Sequence, residues 1–456
     1  MKRTISLSLI ACLAISILPV TSCTKNNTTG RNENVLRVAS WDEYIDEGGS
    51  FYNEDDPDLA DFKSWFYDLT GVDLTDSKPL YEEFVDWYQE TYGKSITVEY
   101  IPLQDNETMY NKLKMGDHYD LLCPSEYMAM KLKSENKIIP FDTDFYNPNA
   151  DEHNYYAKNV SAYTSNIFKN ADLNEYIAGY MWGTTGFVFN PEKIDRSVMT
   201  SWNCLTSEAC TRSITAKDNV RDSYFMGLGM YYEEELLTLK GSNYEEYKTV
   251  LSQKMNDTSE DTMAGVKKLL EKMRKNIYGL ETDEGKTDVA AGRLDASYQW
   301  SGDAVFIMDE AESEFELSLE YSIPASASNL WFDGWVMMEG ANKEAAEAFI
   351  NFLSRPDNAI RNMYYIGYTS CLGGEKIYEY LNYAYGAEED EENTVAYDLS
   401  YFFGEGTLPL TVAEEQTRRQ LFAQYPDSTT IDRLVVMNFF DKKANERANR
   451  MWNNIK

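Results

Sequence analysis

The chain has 456 residues, 26% of them charged, and a formal net charge of −34. That length supports two or three domains with a sizeable core. The acidic excess repels nucleic acid and favours cationic partners; with only two histidines, His118 and His153, a histidine-rich metal site or a Ser-His-Asp triad has little material.

The N-terminus reads as a leader rather than as part of the fold. Lys2 and Arg3 precede an apolar run over 5–18 that is too short to span a bilayer comfortably. Val20-Thr21-Ser22-Cys23 follows, and small residues before a cysteine resemble the bacterial lipoprotein signal. On this reading residues 1–22 are the signal peptide, Cys23 is the lipidated start of the mature chain, and 23–34 is a polar tether. Export permits disulfides, and Cys204 and Cys210 are near enough in sequence to close a small loop, so that pair is expected to be bonded.

From residue 35 strands and helices alternate. Residues 35–39 form a β-branched strand that delivers Trp41-Asp42-Glu43-Tyr44 at its C-terminal end, where ligands sit in open α/β sheets. Residues 48–79 are acidic, aromatic and turn-rich and read as an insertion. Leu80, Phe84, Tyr88 and Tyr92 recur at helical spacing until Gly93 stops the helix. A second strand covers 96–100, Asn106 caps a helix through Met115, and a third strand over 119–123 ends in Pro124-Ser125-Glu126-Tyr127, with Ser125 a natural N-cap. This is βαβ architecture.

An apolar run over 180–190 leaves the first body. Asp218-Asn219-Val220-Arg221-Asp222 then opens a helix, with acids at the end the helix dipole favours. Tyr298-Gln299-Trp300-Ser301-Gly302-Asp303 puts an aromatic and an acid at the end of another strand. The chain crosses back near 326–331, adds a helix over 343–353, and closes with a helix over 444–455.

At that return, Leu330-Trp331-Phe332-Asp333-Gly334-Trp335 sets one carboxylate among three large rings. Burying an unpaired carboxylate is costly, and aromatic faces attract cations, so acid and rings both suit an organic ammonium. A core aromatic cluster with an acid at its edge is the plainer reading of the same six residues.

Taken in this order, the residues resemble the spermidine/putrescine-binding proteins of bacterial ABC importers. The matching stretches are Trp41-Asp42-Glu43-Tyr44, Asn106 to Leu113, Tyr119-Asp120-Leu121 through Ser125, Met181 to Gly186, Ser201-Trp202, Trp300 to Asp303, Trp331-Phe332-Asp333, Arg355-Pro356-Asp357 and Ile366-Gly367-Tyr368. The resemblance implies an α/β, two-lobed periplasmic-binding-protein fold of type II, with ligand held between lobes joined by crossing strands. Lobe 1 would comprise 35–182 and 331–370, with an insertion at about 48–79; lobe 2 would comprise 183–330 and 371–456, with an insertion at about 376–420.

The resemblance also implies a site. Trp41, Tyr44, Tyr127, Trp300, Trp331 and Tyr368 would form aromatic walls, and Asp333 would be the principal carboxylate for an amine. Asp222, Asp303, Glu43 and Asp42 would supply further acids, and Ser125 and Asn219 polar contacts. Two departures bear on ligand choice: Asn219 stands where spermidine-type relatives carry an acid, and the position of a ligand-binding glutamine falls near Met437. The implied function is that of a lipid-anchored, extracytoplasmic, monomeric binding protein, without cofactor or metal, that delivers polyamines to an ABC permease and ATPase. The alternatives are a binding protein or sensor for another small cation, amino acid or sugar, and a secreted glycoside hydrolase using Asp303 and Asp333 as acid and base.

Overall fold

The structure, a computed structural model, describes residues 34–49, 51–53, 56–281, 285–388 and 390–456. The expected signal peptide, lipidated Cys23 and nearly all of the tether lie outside the described residues. No helix among them is long and apolar enough to cross a membrane.

In chain order the strands are β1 (Val35–Trp41), β2 (Thr97–Leu103), β3 (Leu121–Leu122), β4 (Ile138–Ile139), β5 (Ala178–Phe189), β6 (Ile214–Lys217) and β7 (Gly279–Glu281). They continue as β8 (Ala296–Trp300), β9 (Glu320–Ser322), β10 (Ser328–Met338), β11 (Thr369–Ser370), β12 (Thr394–Tyr397), β13 (Leu410–Ala413) and β14 (Leu434–Val436). One large sheet runs in the order β2-β1-β3-β10-β5-β8-β6-β7, while β12 and β13 form a separate ribbon. β1 lies parallel to β2 and β3, and β6 parallel to β7 and β8, as helical crossovers require.

Two strands join the halves. β10 pairs with β3 through Val336 and Met337, and its earlier part pairs antiparallel with β5 from Leu330↔Thr184 to Trp335↔Ala178. The remainder of β5 pairs with β8 from Thr185↔Trp300 to Phe189↔Ala296. β5 and β10 therefore belong to both lobes, and each is buried along its whole length. The register shifts between Asp333 and Gly334, opposite Met181 and Gly179, so Tyr180 is the extra residue of a β-bulge.

Local chemistry explains the helices that frame the first lobe. The helix α1 (Pro57–Thr70) starts with Asp56 accepting from Asp58 N and Leu59 N, and α2 (Leu80–Tyr92) stops at Gly93, whose φ of 67° suits glycine. The helix α3 (Asn106–Met115) is capped by Asp105, one residue earlier than expected. This frees the Asn106 side chain to hold Ser125, which precedes α4 (Glu126–Ser134) without capping it.

Both insertions pack on the first lobe and on each other. Phe62 of α1 stacks on Tyr364 with ring centroids 3.5 Å apart, Trp65 stacks on Tyr383 at 4.4 Å, and Tyr383 donates to Asp61 at 2.9 Å. Ile377, Tyr380, Leu381, Tyr397, Phe402 and Tyr425 share one core with Val38 and Phe84. Most of 371–425 thus packs with the first lobe, against the expected division that gave 371–456 to the second. The physical reason is aromatic: the rings of 376–403 find their partners on α1 and beside Trp182. The C-terminal helix Lys442–Asn453 does join the second lobe's core, through Ala448, Met451 and Trp452.

The expected disulfide is absent. Cys204 and Cys210 are both free, buried thiols of the second core. Their loop is already closed by backbone hydrogen bonds, Ser207 N to Cys204 O and Cys210 N to Ser207 O, so the sulfurs serve as small apolar groups.

Candidate functional site

Asp333 sits in the middle of β10 where the lobes meet, with 5% of its surface exposed. The C-terminal end of β1 brings Trp41, whose Nε1 donates to Asp333 Oδ2 at 3.0 Å, and Tyr44, whose hydroxyl donates to the same oxygen at 2.8 Å. The other oxygen, Oδ1, has no hydrogen-bond partner among the described residues. Burial raises the Asp333 carboxyl above its ordinary value, against the opposing influence of Ser125, Tyr44 and Trp41. Tyr44 packs edge-on against Tyr180 and Tyr368, and Tyr368 lies 5.4 Å from Trp331. Trp331 is fixed by its Nε1 donating to Thr184 O at 3.1 Å.

Glu126, at the start of α4, is a buried neighbour that sequence reasoning missed. Its Oε2 accepts from Phe332 N at 3.4 Å. Burial and the nearby Asp333 push its carboxyl up to about 8, so its protonated form is favoured at neutral pH. In sequence it reads only as a favourable acid in a helix's first turn.

The second lobe faces this cluster with Asn219, Asp222, Trp300 and Asp303. Asn219 caps the helix Val220–Ser242 by accepting from Asp222 N at 2.8 Å, and its amide donates back to the Asp222 carboxylate. Burial raises the Asp222 carboxyl, while Asn219, Lys217, Arg221 and Trp300 oppose the shift. Asp303, in the first turn of the helix Ser301–Phe315, accepts from Lys217 Nζ at 3.1 Å and Lys286 Nζ at 2.9 Å. Burial alone would raise its carboxyl, but the two lysines hold it below the ordinary value. Lys217, at the end of β6, also lies 4.1 Å from the Trp300 ring centroid. Neither lysine was singled out in the sequence: a lysine ending a strand or opening a short helix ordinarily faces water.

The lobes are closed on one another. Tyr368, from the first lobe, donates to Asp303 Oδ1 of the second at 3.0 Å. Its ring lies so close over Gly302 that a Cβ there would fall inside it.

The structure thus brings together Trp41, Tyr44, Ser125, Trp331, Asp333 and Tyr368 on one side and Asn219, Asp222, Trp300 and Asp303 on the other. Tyr127 is placed beside them, with Arg221 4.6 Å from its ring and its hydroxyl 3.3 Å from Glu107. Asp42 and Glu43 are exposed, and among the described residues they share no hydrogen bond or ion pair with the cluster. At Glu43 the backbone turns through φ 52°, which separates these two acids from Tyr44. Met437 is buried in the second core.

Over residues 83–374 the sequence matches the family of bacterial extracellular solute-binding proteins. The chain belongs to that family. Its members are solute-binding proteins rather than enzymes, which sets aside the glycoside hydrolase alternative. The chain is 28% identical over 326 residues to the spermidine/putrescine-binding periplasmic protein of Salmonella typhimurium, spanning 68% of this chain and 82% of that one. It is 26% identical over 272 residues to the putrescine-binding periplasmic protein PotF of Escherichia coli, spanning 58% and 67%. Its fold is similar to the spermidine/putrescine substrate-binding protein PotD of Streptococcus pneumoniae, with a TM-score of 0.57, 23% identity and coverage of 92% and 98%. A second similar structure, from Listeria monocytogenes, has a TM-score of 0.58, 24% identity and the same coverage.

Proposed function

We propose that this extracytoplasmic binding protein captures polyamines, putrescine or spermidine, between its lobes and delivers them to an ABC permease and its ATPase. One observation carries the reading. Asp333 is a buried carboxylate that makes no ion pair and has one oxygen without a hydrogen-bond partner among the described residues, set among Trp41, Tyr44, Trp331 and Tyr368. Such a group costs free energy until a cation meets it, and an ammonium is attracted to the surrounding rings as well. The names of the similar curated proteins support the same ligand class.

Charge-assisted hydrogen bonds contribute roughly 1.5–3 kcal/mol each and desolvated cation–π contacts about 2 kcal/mol. A few of each support binding at about micromolar or tighter after association costs. A thermal-shift screen across polyamines, amino acids and sugars tests the reading, because a ligand of the native state raises apparent stability. Putrescine or spermidine should raise the transition while amino acids and sugars leave it in place; the reverse pattern overturns it.

The mature protein is proposed to be a monomer anchored by lipid on Cys23, with the acyl chains together sufficient for stable attachment. Replacing Cys23 by Ala should move it from the membrane to the soluble fraction, and unchanged partitioning would refute the anchor.

A further inference from the structure

Besides Glu126, the buried carboxylates Asp333, Asp222 and Asp303 face the interlobe cluster, and they are not equivalent. Among the described residues Asp333 and Asp222 make no ion pair: Asp333 accepts from an indole and a phenol, and Asp222 from the Asn219 amide. Asp303 is paired with two lysines. The side chain of Lys217 is 1% exposed, and its ammonium stands 3.1 Å from a carboxylate oxygen and 4.1 Å from an indole centroid. A carboxylate on one side and an aromatic face on the other is the environment a polyamine nitrogen needs. Here the chain supplies the nitrogen itself.

We propose that Lys217 is a specificity-determining residue: its ammonium fills the third cation position of the cleft, leaving Asp333 and Asp222 to take a diamine and excluding the third ammonium of a longer polyamine. This inference rests on the polyamine reading above. Repulsion works alongside occupancy. A ligand ammonium directed at Asp303 would meet Lys217 and Lys286 in a water-poor site, where like charges interact strongly. Lys286 is 20% exposed and lies toward the solvent side of Asp303, so Lys217 is the inner of the two.

Calorimetric titration of the full-length protein with putrescine and spermidine, beside Lys217→Met, tests it. The parent should bind putrescine at least about tenfold more tightly than spermidine. Lys217→Met should gain at least about tenfold for spermidine while putrescine changes less than about threefold. The double variant Lys217→Met/Asp303→Asn should lose that gain, because the gain requires a carboxylate freed for the ligand. Should the methionine variant fail to fold, Lys217→Gln keeps a donor toward Asp303 without the charge and should show the same gain. The inference is overturned if the parent prefers spermidine, if neither substitution moves the ratio of the two affinities by more than about threefold, or if the gain survives in the double variant. If the parent binds neither amine, the polyamine reading itself has failed, and the inference falls with it.

Discussion

Replacing Asp333 by Asn should stabilise the empty protein and weaken the liganded one, two effects of opposite sign from one atom's change. In the native site Oδ2 accepts from Trp41 and Tyr44 while Oδ1 is buried without a partner. The amide oxygen of Asn can keep both donors, and the desolvated charge disappears. The amide nitrogen inherits the unpartnered position of Oδ1, so only the desolvated charge is removed, and the ligand-free variant should gain about 1 kcal/mol, the low end of what an unsatisfied buried group costs. Ligand binding should lose about 2–5 kcal/mol, the cost of truncating one partner of a buried charge pair, or about 30-fold to several-thousand-fold in Kd. The pH dependence supplies an independent sign. Burial raises the Asp333 carboxyl in the folded state, so its contribution to stability is present at low pH and is lost as pH rises through the folded value. The Asn variant should lack that decline. Urea unfolding of the ligand-free proteins across acid and neutral pH, with calorimetric titration of putrescine, measures both effects. A variant that is less stable when empty and binds within about threefold of the parent would refute the reasoning.

Glu126→Gln should flatten a second decline: with its carboxyl at about 8 in the fold against 4.5 ordinarily, Glu126 removes up to about 1.4 kcal/mol per pH unit between those values. Because Glu126 faces Asp333 and Arg221, its ionisation also favours a cation at Asp333, so ligand affinity should rise with pH near 8 in the parent and not in the variant, as titration at several pH values would show. Gly302→Ala should force the Tyr368 ring off Asp303 and hold the lobes apart, so small-angle scattering should give a larger radius of gyration than the parent's, and an unchanged one would refute closure through this contact. Arg361→Met should cost about 3–5 kcal/mol in urea unfolding, since it strips Asp46 and Glu83, at 3.0 and 2.9 Å, of their shared buried cation. In a digest made without reductant, Cys204 and Cys210 should both be found alkylated after unfolding, and a peptide linking them would contradict the free thiols of the fold.

What could be read from the sequence follows from how far each signal travels along the chain. The ends of strands were legible because hydrophobic alternation and a following polar residue are local, so Trp41 and Trp300 were expected at the strand ends where the fold has them. The closure of Tyr368 onto Asp303 spans 65 positions, and no local pattern encodes it. The lysines were illegible for a related reason. Nothing near Lys217 marks it as buried, because its partner lies 86 residues away. The same holds for 376–403, whose rings choose the first lobe through contacts with α1 and Trp182 rather than through any feature of their own segment. The cysteines misled for the opposite reason: closeness in sequence suggested a bond that the turn's backbone hydrogen bonds make unnecessary.

The bulge at Tyr180 has a consequence for how this binding cleft can change. Alternating side chains make strand position a matter of odd and even, and the unmatched residue on β5 sets which parity β10 presents at Asp333. Removing or adding one residue there would turn the carboxylate from cleft to core while leaving the sheet's length nearly intact. The rim of the first lobe, by contrast, has absorbed two long additions that stack their rings on each other and on that lobe, and only the end of the second, at Arg418 and Arg419, reaches across to Glu320 and Glu312. Length can therefore vary at the rim of this architecture, whereas along the crossing strands a new ligand has to be gained by exchanging one side chain for another.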